Sequence, residues 1–250
     1  MAIDGNCFRL QTGTGYGFLY RKGAGVTVDR RPEADPEEEE LWLRGSTYAA
    51  IAAIHGFLPF HASAVAWQGK AFAFAGPSGA GKSTLAAALG HYGMPLLCDD
   101  TMVLDVSHPA NILSLPGHKR LKLKDDALRL TRARPDGKVG RMIAKHYAQP
   151  PGGTVQQVLP LARVYFLEPG ISARCSAITG AKRIARLDDD HYTARLYAMA
   201  RGEALAQRFI HLAEISAHIP MERLALRPDP DCFNQTVEFV AAQIRAAGSA

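Results

Sequence analysis

Two clusters of residues have types and spacings that could do chemistry. The first, Gly76-Pro77-Ser78-Gly79-Ala80-Gly81-Lys82-Ser83, fits G-x-x-x-x-G-K-[ST] in full, and Thr84 follows it. An apolar run over residues 71–75 precedes the motif and an Ala/Leu-rich stretch follows, which is the strand–loop–helix setting the motif requires. Glycines let the backbone N–H groups turn inward and approach phosphate oxygens, where a Cβ would obstruct them. The helix N-terminus adds the positive end of its dipole. Lys82 is then placed to reach the β- and γ-phosphates and the Ser83 hydroxyl to ligate a metal, so the expected cofactor is ATP with Mg²⁺. The second cluster is Asp99-Asp100, sixteen and seventeen residues after Ser83. A group that phosphorylates a hydroxyl needs a carboxylate to accept its proton and a further anionic metal ligand. Adjacent carboxylates on a strand point to opposite faces, so this pair can divide that work.

The elements that must position these residues read as follows. Residues 7–11, 17–21 and 26–28 alternate and are separated by Gly/Thr turn chemistry, which predicts a small antiparallel unit. Gly13-Thr14-Gly15-Tyr16-Gly17 lacks the third glycine and the following helix of a dinucleotide fingerprint, and reads as a hairpin turn. Pro36 and the acids at 37–40 open one helix that runs to residue 55. Residues 57–67 and 70–75 read as strands around a Gln68-Gly69 turn, and residues 82–92 as a helix stopped at Gly93. Short strands are expected at 94–98, 102–106, 111–115, 162–167 and 221–226. Helices are expected at 189–201, 204–212 and 233–246.

The chain has 250 residues, 47% apolar and 21% charged, enough for one large α/β domain with a small appendage. No apolar run approaches a membrane span, and the opening MAIDGNCFRLQTG has no signal-peptide pattern; the expectation is a cytoplasmic protein without a membrane or nucleic-acid partner. Cys7, Cys98, Cys175 and Cys232 are far apart and form no C-x-x-C pair, which removes metal-finger and redox-motif readings. The net charge of +5 is uneven. Residues 117–146 hold ten Lys/Arg against three Asp, a local +7, so the rest of the chain sums to −2. Such an excess attracts phosphates or an acidic partner. This segment is expected to be partly helical near residues 125–132, partly mobile, and turned at Pro135-Asp136-Gly137. Lys119, Arg120, Arg132 and Arg134 are its candidate substrate contacts.

GPSGAGKSTL alone occurs in several families. Guanylate-kinase-type enzymes carry it almost at the amino terminus, whereas 75 residues precede it here; nothing downstream resembles the second signature of ABC-transporter ATPases. The chain resembles instead the catalytic domain of HPr kinase/phosphorylase, in its short single-domain form. His61 lies fifteen residues before Gly76, Asp99 and Asp100 follow Ser83 at the family spacing, and Gly93 ends the P-loop helix in HYGMPLLCDD. The resemblance is specific over residues 61–105 and diffuse from there to about residue 226. It implies an α/β fold, a P-loop kinase domain of HPr-kinase catalytic-domain type over residues 57–250, with a small N-terminal β/helical appendage over 1–56. It also implies that Asp100 accepts the hydroxyl proton, Asp99 joins Ser83 at the metal, and His61 and Lys82 serve the transfer. The Glu/Arg signature that follows the Asp-Asp strand in the bifunctional enzymes is replaced here by LSLPGHKRLKL, as in short HPr-kinase-like proteins. Some of those phosphorylate the terminal serine of a lasso-peptide precursor. The implied activity is an ATP-dependent serine kinase acting on a peptide or small protein, and the implied assembly is a homo-oligomer. An HPr-type or small-metabolite kinase, and a nucleotide-gated binding module without transfer, are the alternatives.

Overall fold

The structure, a computed structural model, describes residues 1–108, 110–188 and 203–249. Among these residues the strands form three sheets. The first is an antiparallel meander of β1 (Ala2–Ile3), β2 (Cys7–Gln11), β3 (Tyr16–Arg21) and β4 (Gly25–Arg30). Phe8 and Leu10 stand opposite Tyr20 and Phe18, and all four are buried, so one face of the meander is apolar and packs inward. The Gly13–Gly17 segment is the turn of this hairpin, with Gly15 at φ +94°.

The expected single helix over 36–55 is broken. Helix α1 (Pro36–Trp42) begins on an Asp35 cap whose carboxylate accepts from the Glu37 amide, and α2 spans Tyr48–Ile54. Between them lies a wide π-type turn in which Gly45 adopts φ −95°, ψ −105°, outside the helical region. A lone glycine carried the break. The expected strand over 57–67 also divides, into β5 (Leu58–Phe60) and β6 (Ala62–Trp67), which pair with different partners on either side of His61.

The second sheet has nine strands. Its centre is β7 (Lys70–Ala75), the strand that leads into the glycine loop, flanked by antiparallel β6 and parallel β14 (Leu159–Pro169). Beyond β6 lies β8 (Leu96–Cys98), antiparallel to β6 and therefore running the same way as β7. The C-terminal ends of β7 and β8 thus share one edge of the sheet, the edge where α/β proteins bind ligands. On the other side β14 pairs in parallel with β16 (Met221–Leu226), and β15 (Arg174–Ala177) closes that edge. The path β5–β9–β10 (β9 Met102–Asp105, β10 Leu113–Leu115) joins the start of β14.

Alternation along β7 shows why this sheet is buried on both faces. Ala71, Ala73 and Ala75 face a core shared with the N-terminal meander and the helix Glu203–His218. Phe72 and Phe74 face a second core shared with helix α3 (Lys82–Leu89) and the last helix, Phe233–Gly248. On that last helix Val237, Val240, Ala241 and Ile244 are buried at helical spacing.

The basic segment departs from expectation. Its helix α4 (Asp125–Thr131) is present, but the remainder is a third sheet, with β11 (Leu121–Leu123) and β12 (Arg134–Lys138) on either side of β13 (His146–Gln149). Pro135-Asp136-Gly137 lies within β12 as an irregularity of register rather than as a turn. The strand β15 and the helix α5 (Lys182–Asp188) had no clear signal in the sequence. The helix expected over 189–201 lies outside the described residues. Among the described residues no helix is long and apolar enough to cross a membrane.

Candidate active site

The loop after β7 has the backbone its glycines predict. Gly76, Gly79 and Gly81 take φ +139°, +87° and +93°, a region that L side chains rarely adopt. A Cβ at Gly76 would also meet the Leu167 carbonyl oxygen of β14 at 3.0 Å, so the loop lies close against the neighbouring strand. At Gly79 and Gly81 no atom lies within 4 Å of the Cβ position, so the space above these backbones is open to a ligand. Gly81 caps α3, and Lys82 at the first turn is buried, its ammonium donating to the carbonyls of Gly76 (2.8 Å) and Pro77 (3.1 Å).

Ser83 and Asp99 meet at the same edge. The Ser83 hydroxyl donates to Asp99 Oδ1 at 2.8 Å, the Ser63 hydroxyl on β6 donates to that oxygen at 2.6 Å, and the Lys122 amide on β11 donates to Oδ2 at 3.0 Å. Asp99 is 1% exposed. A buried carboxylate in contact with a hydroxyl of the glycine loop is an oxygen pair of the kind Mg²⁺ can take up beside a polyphosphate, and Mg²⁺ asks for few protein ligands because it keeps water. The residues therefore fit the metal and the polyphosphate. Among the described residues no cluster of three or more His, Cys, Asp or Glu offers an alternative metal site.

Asp100 is not on a strand, since β8 ends at Cys98. The Thr101 amide donates to the Asp99 carbonyl at 2.9 Å, closing a three-residue turn around Asp100, whose φ is +71°. The positive-φ form of this turn is rare and strained in a residue with a Cβ. Strain held at such a position belongs with sites where a side chain must be aimed. The turn, rather than strand alternation, separates the two carboxylates. Asp100 Oδ2 lies 2.7 Å from Lys122 Nζ, so Lys122 holds Asp99 with its amide and Asp100 with its ammonium. Burial works to raise the Asp100 pKa, but the charges of Lys122, His61 and Lys145 outweigh it and hold the carboxyl below its ordinary value.

Asp100, His61 and the loop residues Gly76, Pro77 and Ser78 line one cavity of about 890 Å³. Its other walls include Leu41 and Trp42 of α1, Lys122, Val139, Ile143 and Lys145 of the basic segment, and Glu168 and Arg186. His61 sits at the break between β5 and β6, next to the electrostatic field of Asp100.

The structure places the four basic candidates apart from this cavity. Lys119 Nζ donates to the carbonyls of Leu97 (2.7 Å) and Val155, and burial lowers its pKa. Arg120 bonds Glu40 at 2.8 Å, pairs with Asp136 at 3.1 Å and stacks over Tyr147. Arg132 is the left-handed residue that ends α4, and Arg134 is exposed on β12. The lysines that reach the cavity are Lys122 and Lys145, which the sequence marked only as members of a charge run. Ser63, Lys122 and Trp42 were also missed. Their signals were a hydroxyl in an Ala/Val strand, a lysine between two leucines, and a tryptophan after an acidic run.

The four cysteines are all free thiols. Cys98, directly before Asp99, is fully buried, and burial pushes its thiol pKa up to about 12, which leaves it a packing residue.

The sequence matches no protein-family model and no curated protein. Among solved structures it is similar to the HPr(Ser) kinase/phosphatase from Coxiella burnetii. The match has 13% identity and a TM-score of 0.38, and spans 76% of this chain and 94% of that one. What the site can do is therefore judged from its own residues.

Proposed function

We propose that the protein is an ATP-dependent phosphotransferase that phosphorylates a hydroxyl. The observation that carries this reading is the contact of Ser83 with Asp99 at the mouth of the glycine loop, with Asp100 beside it on the cavity wall. ATP with Mg²⁺, when bound, supplies the γ-phosphoryl group and the charge that neutralises it. Backbone amides of residues 76–81 and the α3 N-terminus would hold phosphate oxygens, Lys82 would add a fixed cation, and Ser83 and Asp99 would hold the metal. Asp100 would orient the acceptor hydroxyl and take up its proton at a carboxylate oxygen as the new O–P bond forms, with ADP as the leaving group. Lys122 keeps that oxygen ionised and aimed, and His61 stands on the same wall to position the phosphoryl oxygens.

The finer reading, a serine on a peptide or small protein and in particular the terminal serine of a lasso-peptide precursor, rests on the sequence resemblance over residues 61–105. A homo-oligomer is proposed on the same ground. Incubation of the purified chain with γ-labelled ATP, Mg²⁺ and a library of serine-containing peptides tests the activity. Label on peptide serine is the expected result. Label released only as inorganic phosphate, or nucleotide bound without turnover, would leave a nucleotide-gated binding module instead.

A further inference from the structure

The charges on the cavity wall do not cancel. Lys122 is paired with Asp100, and Arg186 with Glu168. Lys145 is half-buried on the same wall and, among the described residues, has no carboxylate within 4.0 Å; its charge reaches Asp100 only from farther off. The wall therefore carries three basic side chains, Lys122, Lys145 and Arg186, against two carboxylates, Asp100 and Glu168. That is an excess of one positive charge among apolar side chains (Leu41, Trp42, Ile143 and Val139), where a charge interaction is stronger than on an open surface.

Lys145 is also held in place. Its loop, between β12 and β13, closes on itself through the Lys145 amide donating to Ile143 at 2.7 Å and the Val139 amide donating to Lys145 at 3.2 Å. The loop is tied to the start of α1, because the Arg141 amide donates to Asp35 Oδ2 at 2.6 Å. Gly140 packs so closely on Glu38 that a Cβ there would stand 2.6 Å from Glu38 Cγ. Bracing the backbone fixes where the Lys145 stem begins and so limits the region its ammonium can reach.

The cavity meets the glycine loop only at Gly76, Pro77 and Ser78, while Lys82 and Ser83, which serve the donor phosphates and metal, are not among its walls. It does include Asp100, the proton acceptor of the proposed transfer. The space thus belongs to the acceptor side. We infer that Lys145 anchors an acceptor subsite that takes a carboxylate carried beside the reacting hydroxyl, with Trp42 and Ile143 covering an apolar neighbouring group. An excess of one positive charge suits a monoanion better than a phosphate ester, which carries nearly two charges.

This inference rests on the phosphotransferase reading, and its test is a binding measurement that stands apart from turnover. The full chain, saturated with Mg²⁺ and a non-hydrolysable ATP analogue, is titrated with N-acetyl-leucyl-serine as the free acid and as its amide. The acid is expected to bind about tenfold more tightly, the size of one charge-assisted contact. Lys145→Met should erase that preference and Lys145→Arg should keep most of it, while both bind the ATP analogue within about twofold of the parent chain. Equal binding of acid and amide overturns the inference, as does a preference that survives Lys145→Met. So does failure of either probe to bind at about 10 mM, or an equal loss of analogue affinity in Lys145→Met, which would assign the cation to the donor. Failure of the phosphotransferase reading looks different: analogue binding that does not depend on Lys82, whatever the acid and amide do.

Discussion

The Ser83 hydroxyl donates to Asp99 Oδ1 at 2.8 Å, joining the first turn of α3 to the end of β8 across the intervening strand β6. Ser63 on that intervening strand bonds the same oxygen at 2.6 Å. The three residues make a preset oxygen cluster, and its expected role is the metal. Asp99→Asn replaces the anionic ligand with a neutral amide and should weaken Mg²⁺-dependent binding of an ATP analogue by at least about tenfold. Ser63→Ala, which removes a partner that only orients Asp99, should weaken it by about tenfold, the lower end for such an orienting partner. Calorimetric titrations with and without Mg²⁺ read both effects. An Asp99→Asn chain with an unchanged Mg²⁺ requirement would place the metal elsewhere.

Lys82 is buried at the loop mouth with its ammonium on the Gly76 and Pro77 carbonyls. Removing it strips the site of a fixed cation where charge develops. Lys82→Ala should lower the rate of label transfer from ATP by on the order of 10²–10³-fold. A variant that kept more than about a tenth of the parent rate would show that transfer does not occur at this loop.

Gly76 combines φ +139° with a close approach to Leu167. Gly76→Ala must accept a strained backbone, on the order of 1–3 kcal/mol, and push its methyl against a carbonyl of β14. A lower thermal midpoint is expected together with weakened analogue binding, both measurable on one sample by thermal melts with and without nucleotide. A variant with parent-like melting and binding would mean that the loop tolerates a different path.

How much of this was legible in the sequence depends on whether the signal was local. The glycine loop, β7 and β16 are written in contiguous patterns, and β7 and β16 have the expected boundaries. The break at Gly45 was not legible, because one glycine in a helical pattern is tolerated more often than it breaks the helix. The basic segment misled because composition does not show pairing. Leu121–Leu123 is too short to read as a strand until His146–Gln149 lies beside it. Asp99 and Asp100 were visible as a pair, but their separation comes from a turn at φ +71° that aspartate seldom adopts. Arg120 looked available for a ligand, and only the fold brings Glu40, eighty residues away, to occupy it.

Asp100→Asn should keep nucleotide binding and lose transfer, because the amide nearly matches the carboxylate in shape but cannot take a proton. Analogue affinity within a few-fold of the parent chain, with label transfer abolished, is the expected pattern. An active Asp100→Asn chain would move the proton acceptor to another group, with Asp99 next to be tested.

Lys122 offers the sharpest pH test, since its ammonium sits 2.7 Å from Asp100 Oδ2 and only 8% of its side chain is exposed. In the parent chain burial raises the Asp100 pKa and the neighbouring Lys122, His61 and Lys145 more than reverse this, so the folded value lies below the ordinary one. For a depressed carboxyl the stabilising contribution is fully present above the unfolded pKa and is lost as pH falls through the folded value. The window therefore lies in acid, at and below the ordinary aspartate range. Lys122→Met removes the ammonium in direct contact with Asp100 but leaves the backbone amide that holds Asp99. Burial then has less opposing it, and the Asp100 pKa must rise. The acid limb of the rate profile should move to higher pH, and carboxyl-carbon NMR of the Asp100 side chain should titrate in the same direction. Lys122→Arg, which restores the charge, should move both readouts back toward the parent chain. A purely structural lysine would lower stability in Lys122→Met without shifting either midpoint, and that result would remove Lys122 from the account of how Asp100 is kept ionised.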